Sequence, residues 1–207
     1  MAPTSSDPAA LRAVLAAPSV QVAPLLLGAR LSANGVTVRL TEVEAYLGEL
    51  DPGSHAFRGE TPRTRVMFGE PGHLYAYFSY GMHVCANVVC SPQGVASAVL
   101  LRAGEVVEGV ELARERRTTS RMTADLARGP ARLCVALGIT LGDDGADLTG
   151  GRVRLDRVPG GVPESVIRTG PRTGVSGAGG SADYPWRFWI DGDPTVSPYR
   201  AQAVRRR

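Results

Sequence analysis

Apolar residues recur at helical spacing through Leu11, Val14 and Leu15, after an Asp7-Pro8 pair that reads as an N-cap with proline at the first helical position. Pro18 stops that pattern. An apolar run over 25–31 leads to Asn34-Gly35, a strong two-residue hairpin signal. Strict alternation follows: Val36, Val38 and Leu40 share one face, and Thr37, Arg39 and Thr41 the other, as in a half-buried strand. Residues 52–72 are rich in Gly, Pro and Arg and read as a long ordered loop. Residues 73–79 and 83–90 read as two strands around Ser79-Tyr80-Gly81-Met82, with a further strand over 95–102. Residues 110–117 and 130–137 read as helices, the second opened by Pro130 and closed by Gly138. The glycine-rich stretch 174–181 is expected to be flexible, and an aromatic strand over 186–190 follows it. With no internal repeat, the pattern predicts one α+β domain over 1–207, with residues 1–6 and 201–207 as flexible tails.

Two clusters stand out against this frame. Period two carries Glu42 and Glu44 onto the face of Val36, Val38 and Leu40, and Tyr46 with them if the strand runs that far. A carboxylate on an apolar face is costly unless it is hydrogen-bonded, so each Glu is either half of a buried ion pair with an arginine or a group at the rim of a cleft. His55 follows within reach, as a structural histidine or as a partner of Glu44. The second cluster is 74–82, Leu-Tyr-Ala-Tyr-Phe-Ser-Tyr-Gly-Met, whose turn exposes Tyr80 and Met82 where polar residues are usual. Such a tip either packs on the domain or acts as a wedge between base pairs. Tyr75 and Tyr77 share one strand face and line a pocket or join the core.

Composition narrows the chemistry. The chain has 207 residues, 43% hydrophobic and 21% charged, which is ordinary globular composition. It contains no apolar run near the roughly 18 residues of a membrane helix, and no secretory signal is read at its start. Three cysteines, Cys85, Cys90 and Cys134, form no Cys-x-x-Cys pair, which disfavours a disulfide scaffold, a zinc ribbon and a four-cysteine cluster. A reduced cytoplasmic compartment is expected. All 23 basic residues are arginine. A Walker-A loop and a lysine Schiff base are therefore excluded. The net charge of +3 permits nucleic-acid binding. The final Arg205-Arg206-Arg207 reads as a solvated basic end or a phosphate contact.

Taken in order, Thr41-Glu-Val-Glu-Ala-Tyr-Leu-Gly48, His55, Thr61-Pro-Arg-Thr-Arg65, Met67-Phe68, Pro71-Gly72 and the 74–82 cluster resemble the alkyladenine (3-methyladenine) DNA glycosylase family. Asn87, Val99-Leu-Leu-Arg-Ala103, Gly129-Pro130, Pro171-Arg172 and Pro185-Trp-Arg-Phe188 extend the resemblance to about residues 8–197, densest over 41–103. The resemblance implies a compact α+β fold with a curved antiparallel sheet and a protruding hairpin. It implies a monofunctional, monomeric enzyme with no metal or cofactor. That enzyme flips 3-methyladenine, 7-methylguanine or hypoxanthine out of double-stranded DNA and leaves an abasic site. Rival readings are a damage-binding module without catalysis and an N-ribohydrolase of free nucleosides.

Carried onto this chain, Glu44 falls on the general base and Arg102 on the arginine beside the base and its water. Tyr46, His55 and Tyr77 fall on the walls of the base pocket, and Asn87 on the residue that crowds the amino group of normal guanine. Tyr80 falls on the side chain that fills the vacated stack. Arg63, Arg65, Met82 and Arg172 are the candidates for the DNA backbone. His83 and Cys85 are left as a solvated histidine and a core cysteine. The expected setting is the cytoplasm, at the nucleoid in a prokaryote.

Overall fold

A computed structural model describes residues 7–79, 81–157 and 160–201. Helix α1, Pro8–Leu15, starts where Asp7 accepts the Ala9 N–H at 3.0 Å, and it buries Leu11 and Leu15. Helix α2, Ser19–Leu26, is not predicted by the pattern, because it carries Pro24 inside and has no side-chain cap. The apolar run 25–31 divides between the end of α2 and strand β1, Arg30–Ala33. Asn34 and Gly35 both take positive φ, 48° and 81°, which closes the tight turn into β2, Val36–Tyr46.

The hairpin of β3, Leu74–Ser79, and β4, His83–Val89, forms as expected, with Phe78 and Met82 exposed toward its tip. Strand β5 spans Ala98–Glu108, six residues beyond the predicted end, because Arg102 and Gly104 interrupt the apolar pattern while the chain keeps pairing with β2. Helix α3 is Val110–Arg116; the two-residue strand β6, Ala127–Arg128, precedes helix α4, Pro130–Leu137. Strands β7 (Val153–Asp156), β8 (Ile167–Gly170) and β9 (Arg187–Ile190) complete the described strands; the first two carry no clear sequence pattern.

The nine strands form one antiparallel sheet in the order β3-β4-β5-β2-β1-β7, with β6 on β5 and β8–β9 attached through β9 to β2. The fold is α+β, as anticipated. The sheet has two different faces. Val38, Leu40, Val43, Leu74, Ala86, Val99 and Leu101 join the main core, together with α2 and α4 residues such as Leu26 and Leu133. Tyr75, Val89 and Ala98 join a smaller cluster with Met67 and Ala56 from the 52–72 loop. No helix among the described residues is long and apolar enough to cross a membrane. The tail arginines Arg205–Arg207 lie outside the described residues.

Candidate active site

The chemistry gathers where β2 and β5 lose their regular pairing. Leu40 pairs with Gly104, Glu42 with Ala103 and Val43 with Leu101, so Thr41 is an extra residue on β2 and Arg102 an extra residue on β5. A bulge of this kind re-aims side chains. The Thr41 bulge reverses the alternation: Val36, Val38 and Leu40 face the main core before it, and Val43 and Ala45 after it. Glu42 and Glu44 therefore emerge on the opposite face, not on the apolar face that unbroken alternation predicts.

The two carboxylates share Arg102 and differ in their other partners. Glu44 is fully buried, and its Oε1 accepts the Thr173 N–H at 2.7 Å and faces Arg102 Nη1 at 3.3 Å. Its Oε2 accepts the Tyr46 hydroxyl at 2.9 Å. Burial, then the adjacent Glu44 charge, pushes the Tyr46 hydroxyl well above its usual pKa, so Tyr46 stays a donor. Glu42 Oε1 accepts Arg102 Nε at 2.9 Å and Arg187 Nε at 2.6 Å, and its Oε2 accepts the Ser197 N–H at 2.7 Å. Burial raises the Glu42 pKa, but the Arg102 and Arg187 charges outweigh it and hold Glu42 below the ordinary carboxylate range. For Arg102, burial is outweighed in turn by Glu44 and Glu42, which raise its pKa. Both carboxylates thus belong to one buried ion cluster through Arg102, with Arg187 added on the Glu42 side and Tyr46 and Thr173 on the Glu44 side.

A cavity of about 660 Å³ opens on this face, lined among others by Tyr46, His55, Tyr77, Asn87, Arg102 and Thr173. That volume lies in the roughly 300–1,000 Å³ range of small-molecule sites. Glu44 sits behind Tyr46, Arg102 and Thr173, in contact with all three. Tyr75 and Tyr77 stack at 5.4 Å, and His55 stands edge-on to Tyr77 at 4.6 Å, its Nδ1 3.3 Å from the Tyr75 hydroxyl. Burial, and then the Arg63 charge, pushes the His55 pKa down to about 4. Asn87 is buried on β4 and donates Nδ2 to the Tyr75 carbonyl at 3.0 Å. Tyr75 therefore serves the pocket as well as the core, a role signalled only by its sharing a strand face with Tyr77.

Of the unassigned pair, His83 is exposed, and Cys85 is buried yet lines the cavity, its thiol pKa pushed up by burial. Among the described residues no three His, Cys, Asp or Glu side chains converge as a metal site requires.

The backbone candidates separate. Arg63 is exposed at the cavity wall with its guanidinium 5.4 Å from the Tyr77 ring centre, and Arg65 and Met82 are exposed near it in sequence and on the hairpin. Tyr80 lies outside the described residues. Arg172, expected as a phosphate contact, has its guanidinium buried inside the protein. It is 1% exposed, and all five of its N–H groups are consumed, by Asp51 (2.5 and 2.7 Å), the Ala45 carbonyl (2.9 Å) and the Gly179 carbonyl (3.2 and 2.7 Å). Its guanidinium lies 4.5 Å from the Tyr46 ring centre, backing that ring.

Nor is the glycine-rich loop slack. A Cβ on Gly179 would lie 2.3 Å from the Gly53 nitrogen, so these glycines allow two loops to touch. The Arg172–Asp51 pair fixes the contact and holds the Thr173 N–H on Glu44. Thr173 and Asp51 have no sequence signal of their own.

A family model described as Methylpurine-DNA glycosylase (MPG) matches residues 13–194. A protein of Leifsonia xyli subsp. xyli is 63% identical over 193 residues, 89% of each chain. One of Streptomyces avermitilis is 56% identical over 204 residues (95% of this chain, 94% of the relative), and one of Nocardia farcinica 52% over 182 (84% of each). All three bear the provisional name 3-methyladenine DNA glycosylase.

Proposed function

The chain belongs to the methylpurine-DNA glycosylase family, DNA-repair hydrolases of N-glycosyl bonds, and from that premise we propose that it excises alkylated and deaminated purines with Glu44 as general base. The observation that carries this reading is the setting of Glu44: a buried carboxylate held by Tyr46, Arg102 and Thr173 directly behind an aromatic cavity. The proposed enzyme is a monomer, one domain over 1–207, acting at the nucleoid on double-stranded DNA.

A base stacked in a duplex is out of reach, so it must be extruded at a cost of a few kcal/mol. Tyr46 and Tyr77 repay part of that cost, since stacking on aromatic rings is worth about 1–3 kcal/mol per base. Tyr80, which follows Ser79 in the sequence, is the proposed filler of the vacated stack. Purines methylated at N3 or N7 are cations, which tyrosine faces hold by roughly a further 0.5–2 kcal/mol. A neutral His55 adds no repulsion to that charge.

Water then attacks C1′ as Glu44 takes its proton. The glycosidic bond breaks with its electron pair going to the base, which leaves neutral if it was cationic. The carboxylate also stabilises positive charge on the sugar, and general-base help is typically worth about 10²–10⁴-fold. Hypoxanthine, neutral at the start, needs a hydrogen bond at His55. Asn87 crowds the amino group of guanine. 3-Methyladenine, 7-methylguanine and hypoxanthine are the proposed substrates.

Single-turnover excision from duplexes carrying one lesion each tests the reading. Glu44→Gln keeps the shape but cannot take a proton, so it should bind lesion DNA and release almost no base. A Gln variant that kept more than about a tenth of the wild-type rate would remove Glu44 from the role.

A further inference from the structure

Glu42 has no place in the chemistry above, yet three donors converge on it beside the proposed base. It is fully buried, accepts two guanidinium Nε groups on one oxygen, and takes a backbone N–H on the other. The two arginines differ. Arg187 also donates Nη2 to the Ser197 carbonyl at 2.9 Å, and makes no ion pair with Glu44. Arg102 is the extra residue of the β5 bulge and has no strand register to fix its side chain. Its Nε edge is held by Glu42 and its Nη2 reaches Ser197 Oγ at 3.2 Å, which leaves Nη1 toward Glu44 Oε1 at 3.3 Å.

We infer that Glu42 is a positioning residue for catalysis: by holding the Nε edge of Arg102 it limits Arg102 to a single, long contact with Glu44 and keeps a guanidinium face on the cavity. The charges make the argument. Two carboxylates and two guanidiniums share this buried cluster, and Arg102 lies between both carboxylates. Without the Glu42 charge, Glu44 is the nearest anion left to Arg102. A two-pronged Arg102–Glu44 pair is the strong geometry for such groups. That pair would occupy the oxygen lone pairs that water needs and draw Arg102 back from the cavity. Glu42 therefore competes for Arg102 on behalf of the base. The inference rests on Glu44 being that base.

Removing one buried charge alone can unfold the chain, because its partners are left unpaired. Two variants are therefore compared: Glu42→Gln, and Glu42→Gln with Arg187→Gln, which removes one charge of each sign. Both should bind abasic-site duplex within about threefold of wild type and lose at least tenfold in the single-turnover rate. Arg187→Gln alone leaves the Glu42–Arg102 contact in place and should retain the rate within about threefold. In an Arg102→Gln background, Glu42→Gln should cause no further loss, the signature of action through Arg102.

A wild-type rate in either Glu42 variant, or an equal loss with and without Arg102, overturns the inference. So does failure of both variants to fold, which would assign Glu42 to the frame of the sheet. An active Glu44→Gln would sink the underlying reading instead, whatever Glu42 does.

Discussion

The Tyr46 hydroxyl donates to Glu44 Oε2 at 2.9 Å, joining two side chains two residues apart on the same strand face. The ring proposed to stack on the flipped base thus also orients the carboxylate proposed to activate water. Tyr46→Phe separates the two roles, since it keeps the ring and deletes one of three contacts on Glu44. Excision should slow by about tenfold while binding of abasic-site duplex holds within about threefold. An unchanged rate would show that the Thr173 N–H and Arg102 suffice to orient the carboxylate.

Arg172 and Arg65 should part company in salt titrations. Each phosphate contact contributes about 0.9 to the slope of log affinity against log salt. Arg65→Gln, at an exposed position, should reduce the slope by about that amount. Arg172→Met should leave the slope alone but lower stability by about 3–5 kcal/mol, because Asp51 is left buried without its partner. A reduced slope for Arg172→Met would restore it as a DNA contact.

His55 should titrate far below a free histidine. Its pKa is pushed from 6.5 to about 4 in the fold, so between those values the unfolded chain binds more protons than the native one. The stability it contributes is complete above pH 6.5 and drains away as the pH falls toward 4. On acidification over that window the wild type should lose melting temperature relative to His55→Gln. An imidazole NMR titration with its midpoint near 6.5 would contradict the buried, Arg63-facing setting.

The absence of lysine makes a prediction about products. Glycosylases that also nick DNA attack C1′ with an amine, and lysine is the usual one. With no lysine in the sequence, borohydride added during turnover should trap no covalent adduct. Strand breaks should appear only after alkali or heat. A trapped protein–DNA species would overturn the hydrolytic assignment.

The local elements that sequence pattern reads well are those whose signals are themselves local. The Asp7 cap, the Asn34-Gly35 turn, the β3–β4 hairpin and the Pro130-to-Gly138 helix all lie within a residue of expectation. Glu42 and Glu44 show the opposite case. Period two puts them with Val38 and Leu40, but a bulge appears only when β2 meets β5, and it turns both to the other face. Both carboxylates share the buried ion cluster with Arg102, and Glu44 alone also touches Tyr46 and Thr173 of the cavity lining. Arg172 was legible as part of a motif and not as a buried cation, since its partner Asp51 lies 121 residues away with nothing in the sequence to link them. The glycines of 174–181 look like slack in sequence, and their purpose is seen only with Gly53 against Gly179.

The position of β2 in the sheet has a consequence for how the molecule comes apart. It pairs with β5 along one side and with β1 and then β9 along the other, whereas β3 lies at the end of the strand order. Local opening frees edges and loops at lower cost than interior strands. Amide hydrogens of β2 should therefore be among the slowest to exchange, and those of the β3–β4 hairpin among the fastest of the sheet. Warming would then loosen the hairpin proposed to grip a duplex while the carboxylates of β2 were still in place, so on that proposal the enzyme would lose its substrate before it lost its chemistry.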